Sequence, residues 1–147
     1  MKYLDKTIQE IHSLLKEKKI KPIDLVEECF ERIEKNKDLN AYITLNKEEA
    51  IKTAKELENK EVDNLLFGLP IAVKDNIVTK GLRTTCASHI LDNFIPIYDA
   101  TVVEKIKKNN MIIIGKTNIL ITSHGLLYHK KCLQTTKKVR PERPNKR

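Results

Sequence analysis

Lys74 ends an apolar run and is followed at once by Asp75 and Asn76, so its position offers chemistry that most lysines lack. A lysine moved out of water loses affinity for its proton because desolvation disfavours the ammonium, and the neutral amine can act as a general base. Residues 65–73, which precede it, are nearly all apolar and provide such surroundings. A solvated charge at the end of a strand is the alternative interpretation.

The three cysteines, Cys29, Cys86 and Cys132, are widely spaced and include no C-x-x-C pair. Their spacing supports neither a disulfide framework nor a zinc site, and it fits a reducing compartment. Cys86 and His89 could form half of a metal site or a nucleophile pair. An isolated cysteine of this kind is more often a small buried hydrophobe, and we expect that of Cys86.

Charge is divided unevenly along the 147 residues, whose net charge is +8. Residues 1–118 hold 20 basic and 19 acidic side chains, whereas residues 119–147 hold eight basic and one acidic. A nucleic-acid-binding domain normally carries its basic excess on a folded face, and the first segment has almost none. We therefore predict a folded part at 1–118 and a basic, disordered tail at 119–147. No apolar run approaches the ~20 residues of a membrane-spanning helix, and no membrane contact is expected.

Amphipathic helices are predicted to dominate the residues before the apolar run. Thr7 and Glu10 form a capping-box pattern, which indicates a helix start. Pro22 suits the first turn of a second helix. A short strand is predicted at 41–45, and Asn46 should cap a third helix.

From the apolar run onward, the sequence predicts strand, helix and strand. The run at 65–73 indicates a buried strand with Pro70 at its start, and 111–114 indicates another strand. Between them, Thr101 and Glu104 form a second capping-box pattern, for a helix whose inward side chains should be Val102, Val103 and Ile106. This order favours a layered α/β domain with parallel pairing of the two strands.

Three segments carry a resemblance to a known family: GLPIAVKDNI, then GLRTTCAS, then YDATVVEKIKKNNMIIIGKTN. In this order and spacing they resemble the amidase signature family. Within it, the second and third segments are most similar to the A subunits of glutamyl-tRNA(Gln) amidotransferases. The resemblance covers residues 1–118. It implies an α/β/α sandwich around a mixed sheet, of which this chain would hold the outer helices and the first strands.

The resemblance also implies a catalytic role for one residue. The family uses a nucleophilic serine, a second serine in a cis peptide and a lysine, and the lysine of its V-K-D motif matches Lys74. The chain lacks the Gly/Ser-rich segment that holds both serines, and neither Ser88 nor Ser123 stands in a matching context. We therefore expect the chain alone to be inactive. No cofactor or metal is expected in it.

By the same resemblance, glutamine is the amide donor, and the released ammonia is used to form Gln-tRNA(Gln). ATP and Mg²⁺ would belong to the partner B subunit. The complex would be completed by a C subunit, and tRNA would contact the chain only indirectly. The location would be cytoplasmic or organellar. Two alternatives stay open: an amidase of the same family acting on small amides, and a noncatalytic, basic-tailed RNA-binding or assembly protein.

The resemblance stops after GKTN, where the family continues with a pattern like MDEFAMGSST and this chain reads ILITSHGLLYHKK. Codons read one base out of register from His124 can spell Met-Gly-Ser-Ser-Thr. We therefore hypothesise a frameshift near codon 119. The gene sequence around codons 116–131 tests this, because an offset frame without a Gly-Ser-Ser continuation would exclude it.

Overall fold

The computed structural model describes residues 3–118, so the predicted tail lies outside the described residues. Four α-helices and three strands follow one another along this part of the chain. They are α1 (Ile8–Lys16), α2 (Pro22–Lys35), β1 (Tyr42–Leu45), α3 (Lys47–Leu57), β2 (Pro70–Lys74), α4 (Thr101–Lys108) and β3 (Ile112–Thr117). No helix in this range is both long and apolar enough to cross a membrane.

The three strands form one mixed sheet in the order β1-β3-β2. β3 runs parallel to β2, as predicted, and antiparallel to β1. The register between β2 and β3 shifts once: Ile71 lies opposite Ile113, but the next residue, Ala72, lies opposite Gly115. Ile114 is thus an extra residue on β3, which is a β-bulge.

Alternate residues of β3 face opposite sides of the sheet, as strand geometry requires. Ile112 and Ile114 pack with the buried side chains of α2 and α3, whereas Ile113 packs with Val73 of β2 and Val103 of α4. Helices therefore cover both sides of the sheet. This arrangement confirms the predicted α/β class, and the described residues form part of a helix–sheet–helix sandwich.

The first two helices begin where the sequence predicts. Thr7 caps α1 in a complete capping box, in which Glu10 donates its backbone N–H to Thr7 Oγ1 and accepts the N–H of Thr7. Pro22 is the first residue of α2. Local signals suffice here because capping involves residues only three positions apart.

Two predicted side-chain caps are absent, although Asn46 is the N-cap residue of α3 as predicted. The Asn46 side chain does not cap α3; its Nδ2 donates to the carbonyl oxygen of Ile113 at 3.0 Å and ties the helix start to β3. α4 starts at Thr101 with Ala100 as its N-cap residue and without a side-chain cap. Val102 is exposed rather than inward, because this helix turns Val103 toward the sheet.

The strand predicted in the apolar run at 65–73 starts at Pro70, as predicted, but it is more exposed than expected. Only Pro70–Lys74 is a strand, and β2 is an edge of the sheet formed by residues 3–118. Val73 is buried, but Ala72 on the opposite face is exposed. An apolar run shows that a strand is suited to burial; whether a neighbour covers it depends on residues far away in the sequence.

Gly115 allows β1 to approach β3 closely. A Cβ atom at this position would lie 2.4 Å from the carbonyl oxygen of Thr44 and 3.2 Å from the Cα of Leu45. Both contacts are with backbone, which cannot rotate away. The glycine is therefore required by the pairing of these two strands.

Candidate active site

Lys74 is the last residue of β2 and projects from its carboxyl end. Its carbonyl oxygen accepts the N–H of Ile77 at 2.9 Å, which closes a tight turn directly after the strand. The Lys74 side chain is exposed, and within residues 3–118 no group forms an ion pair or hydrogen bond with its ammonium. The apolar run thus leads up to the lysine without enclosing it, contrary to the desolvated surroundings that we predicted.

Asp75 is completely buried directly beside this exposed lysine. Its Oδ2 accepts hydrogen bonds from the N–H of Thr85 at 3.1 Å, the N–H of Ala87 at 3.2 Å and the Thr85 hydroxyl. Its Oδ1 is also buried and has no hydrogen-bond partner among the described residues. A carboxylate in this position ties the segment around residue 86 to the end of β2.

The tied segment has an unusual backbone. Cys86 and Ala87 both have positive φ angles, of 52° and 54°. The left-handed conformation costs a residue with a Cβ atom roughly 1–2 kcal/mol, so two in succession need support from outside the turn. The hydrogen bonds to Asp75 provide it.

The turn also decides the position of Cys86, whose side chain is exposed. The prediction of a buried Cys86 was therefore wrong, because the left-handed turn directs this side chain outward while Ala87 faces the interior. Cys29 is half-buried, and burial raises the pKa of its thiol to about 11. Within residues 3–118, no group of three or more His, Cys, Asp and Glu residues could hold a metal ion.

A second lysine, Lys116 on β3, is fully buried near the same strand ends. It lies opposite Val73 in the register, and its ammonium donates to the carbonyl oxygen of Ile77 and, at 3.1 Å, to the hydroxyl of Thr79. Burial lowers the pKa of Lys116, while electrostatic attraction to Asp75 acts in the opposite direction. Lys116 supplies a buried positive charge close to the buried carboxylate.

The serines of this region have other roles. Ser88 lies before a short 3-10 helix (His89–Leu91), and its Oγ accepts the N–H of Ile90 at 3.3 Å, as a capping side chain does. Ser123 lies outside the described residues. Lys74 therefore has no described serine partner.

The sequence pattern indicates Lys74 but not the network around it, which is formed by Asp75, Thr85 and Lys116. For Lys116 a signal was present, because this lysine also follows an apolar run, MIIIG. For Asp75 and Thr85, ten residues apart, nothing in the local sequence indicates that their side chains meet.

A sequence model of the amidase family matches residues 24–139 of the chain. The A subunit of the glutamyl-tRNA(Gln) amidotransferase of Geobacillus kaustophilus is 52% identical over 124 residues, covering 81% of this chain and 26% of the relative. The corresponding protein of Bacillus cytotoxicus is 54% identical over 123 residues, covering 81% of this chain and 25% of the relative. The chain thus spans about a quarter of the length of the curated relatives it matches.

Solved structures agree with the sequence comparison. The peptide amidase of Stenotrophomonas maltophilia superposes with a TM-score of 0.74 at 26% identity, over 80% of this chain and 25% of that one. A bacterial aryl acylamidase gives a TM-score of 0.70 at 28% identity, over 77% of this chain and 25% of that one. Because the family match, the relatives and the fold all agree, the chain belongs to the amidase family.

Proposed function

We propose that this chain carries the N-terminal part of the glutamine-hydrolysing A subunit of a glutamyl-tRNA(Gln) amidotransferase, with Lys74 as its general base. The supporting observation is the position of Lys74 at the carboxyl end of β2, where no described group engages its side chain in a hydrogen bond or ion pair. Ligands of open α/β sheets bind beyond the carboxyl ends of the strands, and the parallel strand β3 ends beside Lys74, at Thr117. The name shared by relatives more than 50% identical supports a role in the amidation of Glu-tRNA(Gln), for which we propose glutamine as the amide donor.

In the proposed reaction, neutral Lys74 accepts a proton from a bridging serine, which accepts one from the nucleophilic serine as its oxygen attacks the amide carbon of glutamine. The carbon–nitrogen bond breaks, and the proton held by Lys74 leaves with the nitrogen as ammonia. The resulting ester on the nucleophile is then hydrolysed by water to release glutamate. Exclusion of water from Lys74 requires polypeptide beyond residues 3–118, since the lysine is exposed within them.

The complex supplies what this chain does not. In the proposal, a B subunit uses the ammonia together with ATP and Mg²⁺ to convert Glu-tRNA(Gln), and a C subunit joins the two. The chain would act in the cytoplasm or in an organelle. Division of the chain at residue 118 stays a prediction, and the family match continues beyond it to residue 139.

The 147 residues should not hydrolyse glutamine by themselves, because a base without a nucleophile to activate retains little acyl-transfer catalysis. Fusion of residues 1–118 to the remaining part of the Geobacillus kaustophilus protein should restore ammonia release from glutamine, assayed with the other subunits of that amidotransferase. Lys74→Ala should abolish this activity, and Lys80→Ala, which removes another exposed lysine after β2, should not. A fully active Lys74→Ala fusion would disprove the proposal.

The small-amide alternative draws support from the peptide amidase and the aryl acylamidase that share the fold. Their identities of 26% and 28% are about half those of the amidotransferase relatives, which favours glutamine. If the fusion hydrolyses a peptide amide faster than it hydrolyses glutamine, the small-amide alternative would be favoured over the glutamine proposal. The noncatalytic RNA-binding alternative depends on residues 119–147 and predicts RNA binding that is lost when they are removed.

A further inference from the structure

We infer that Asp75 is a positioning residue for Lys74: its buried carboxylate holds the left-handed turn at residues 85–87 against the end of β2 and thereby fixes the point from which the lysine projects. The inference rests on the proposed role of Lys74 as the general base. It concerns a residue that touches neither the substrate nor the reacting atoms.

The backbone of Asp75 is held on both sides. Its N–H donates to the carbonyl oxygen of Thr117 on β3 at 3.1 Å, and its carbonyl oxygen accepts the N–H of Cys86 at 3.1 Å. The first bond continues the pairing of the parallel strands, and the second begins the attachment of the turn. Because Asp75 adjoins Lys74, both bonds restrict the direction in which Lys74 leaves the sheet.

The side chain of Asp75 completes the attachment. One carboxylate oxygen, Oδ2, serves the backbone amides of Thr85 and Ala87, and the Thr85 hydroxyl donates to that oxygen while accepting the N–H of Ala87 at 3.1 Å. Two amides on either side of a left-handed residue thus converge on one acceptor. Without that acceptor, the buried amide of Thr85 loses its partner, and the amide of Ala87 keeps only the Thr85 hydroxyl. The left-handed turn then loses most of the hydrogen bonds that offset its backbone strain.

The residues that follow are fixed independently. Ile77 donates its N–H to the carbonyl oxygen of Lys74, and the carbonyl oxygen of Ile77 accepts from the buried ammonium of Lys116. Lys116 also provides the buried positive charge that the carboxylate needs, since a buried charge without an opposite one is costly. Lys74 therefore stands between two immobilised segments, although its own side chain has no described hydrogen-bond partner.

The first test uses the 147-residue chain and does not depend on activity. In Asp75→Ala, hydrogen exchange at the amides of Thr85 and Ala87 should accelerate about tenfold or more, and in Asp75→Asn, which keeps one acceptor oxygen, by less. Asp99→Ala is the matched control, because Asp99 also accepts a loop amide, that of Lys80. Unchanged exchange in Asp75→Ala would overturn the inference.

Thr85→Ala keeps the test decisive if Asp75→Ala does not fold. This variant removes the hydroxyl that donates to the Asp75 carboxylate and accepts the amide of Ala87, and it leaves the carboxylate with its weaker direct bond to that amide, at 3.2 Å. Exchange at the Ala87 amide should accelerate, and Thr85→Ser, which keeps the hydroxyl, should restore protection. Equal exchange in the two Thr85 variants would also overturn the inference.

The second test uses the fusion described above. Asp75→Ala should lower kcat for glutamine by about 100-fold with KM nearly unchanged, because a displaced base affects the transition state more than substrate binding. Asp75→Asn should recover most of the loss, and Asp99→Ala should leave kcat unchanged. If kcat is lost in Asp99→Ala as well, or retained in Asp75→Ala, the residue has no positioning role. A folded but inactive parent fusion would instead disprove the proposed function, while the exchange test would still decide whether Asp75 holds the turn.

Discussion

The two lysines at the ends of β2 and β3 have similar surroundings in the sequence and opposite ones in the structure. Lys74 follows LPIAV and is exposed without a partner among the described residues, whereas Lys116 follows MIIIG and is fully buried with two hydrogen-bond acceptors. An apolar run before a lysine therefore does not tell whether the lysine is available. Within the sheet that residues 3–118 form, the lysine of the central strand β3 is buried in hydrogen bonds of the fold, and the lysine of the outer strand β2 is exposed.

Replacement of Lys74 by arginine tests whether the exposed Lys74 side chain transfers a proton. Arginine keeps the positive charge and cannot release its proton in a protein, so Lys74→Arg in the fusion should lower kcat for glutamine about 1,000-fold. The free energy of unfolding should change by less than about 0.5 kcal/mol, since the side chain is exposed. Ammonia release and urea denaturation measure the two quantities. An arginine variant with substantial activity would show that Lys74 contributes charge and not a base.

Chemical labelling compares the availability of both lysines in one experiment. An amine-reactive ester should acylate Lys74 of the folded 147-residue chain about 100-fold faster than Lys116, which can react only when the structure opens. Peptide mapping by mass spectrometry gives both rates. In the urea-unfolded chain the two acylation rates should be similar. Equal rates in the folded chain would show that Lys74 is no more accessible than Lys116.

Stability should depend on the buried lysine of this pair. Lys116→Ala removes two hydrogen bonds, leaves a cavity and deprives Asp75 of its nearby cation, so the free energy of unfolding should fall by about 3 kcal/mol. Lys74→Ala is the matched control and should change it by less than about 0.5 kcal/mol. Denaturant titration of both variants gives the comparison, and equal losses would contradict it.

Lys116 should also affect how the free energy of unfolding depends on pH, although this effect should be smaller than the loss of stability in Lys116→Ala. Burial lowers the pKa of Lys116 in the folded state, so the unfolded chain binds more protons between this lowered pKa and the ordinary value of 10.5. The free energy of unfolding therefore rises with pH in that window through this group. Lys116→Met removes the rise. Burial raises the pKa of Cys29 and Tyr42, which act oppositely, so the measured quantity is the difference between variant and parent across the alkaline range.

Local patterns predicted the helical half of the fold well. The capping box at Thr7 and the proline at the start of α2 act within one helical turn, and both are confirmed. Parallel pairing of β2 and β3 followed from the order of elements and is also confirmed. These features depend on residues that are close in the sequence or on the order of helices and strands. Both can be read from a single sequence.

The candidate site was predicted only as one residue, because its geometry depends on distant partners. The Asn46 amide binds the carbonyl oxygen of Ile113 instead of its own helix, across 67 positions. Asp75 reaches Thr85 only because the chain between them folds back on the strand end. A polar side chain can form a hydrogen bond with its own helix or turn or with a distant segment, and the sequence alone does not show which of these partners it binds.

The single extra residue in β3 keeps the two positive charges apart. If the register that pairs Ile71 with Ile113 continued without a bulge, Lys74 would stand directly opposite Lys116, with two like charges on one face of adjacent strands. The insertion of Ile114 moves Thr117 opposite Lys74 and turns Lys116 to the other face, beside Val73. Deletion of that one residue would place the two ammonium groups side by side, where they repel each other. The β-bulge therefore keeps the charge of Lys116, which supports the fold, apart from the charge of Lys74.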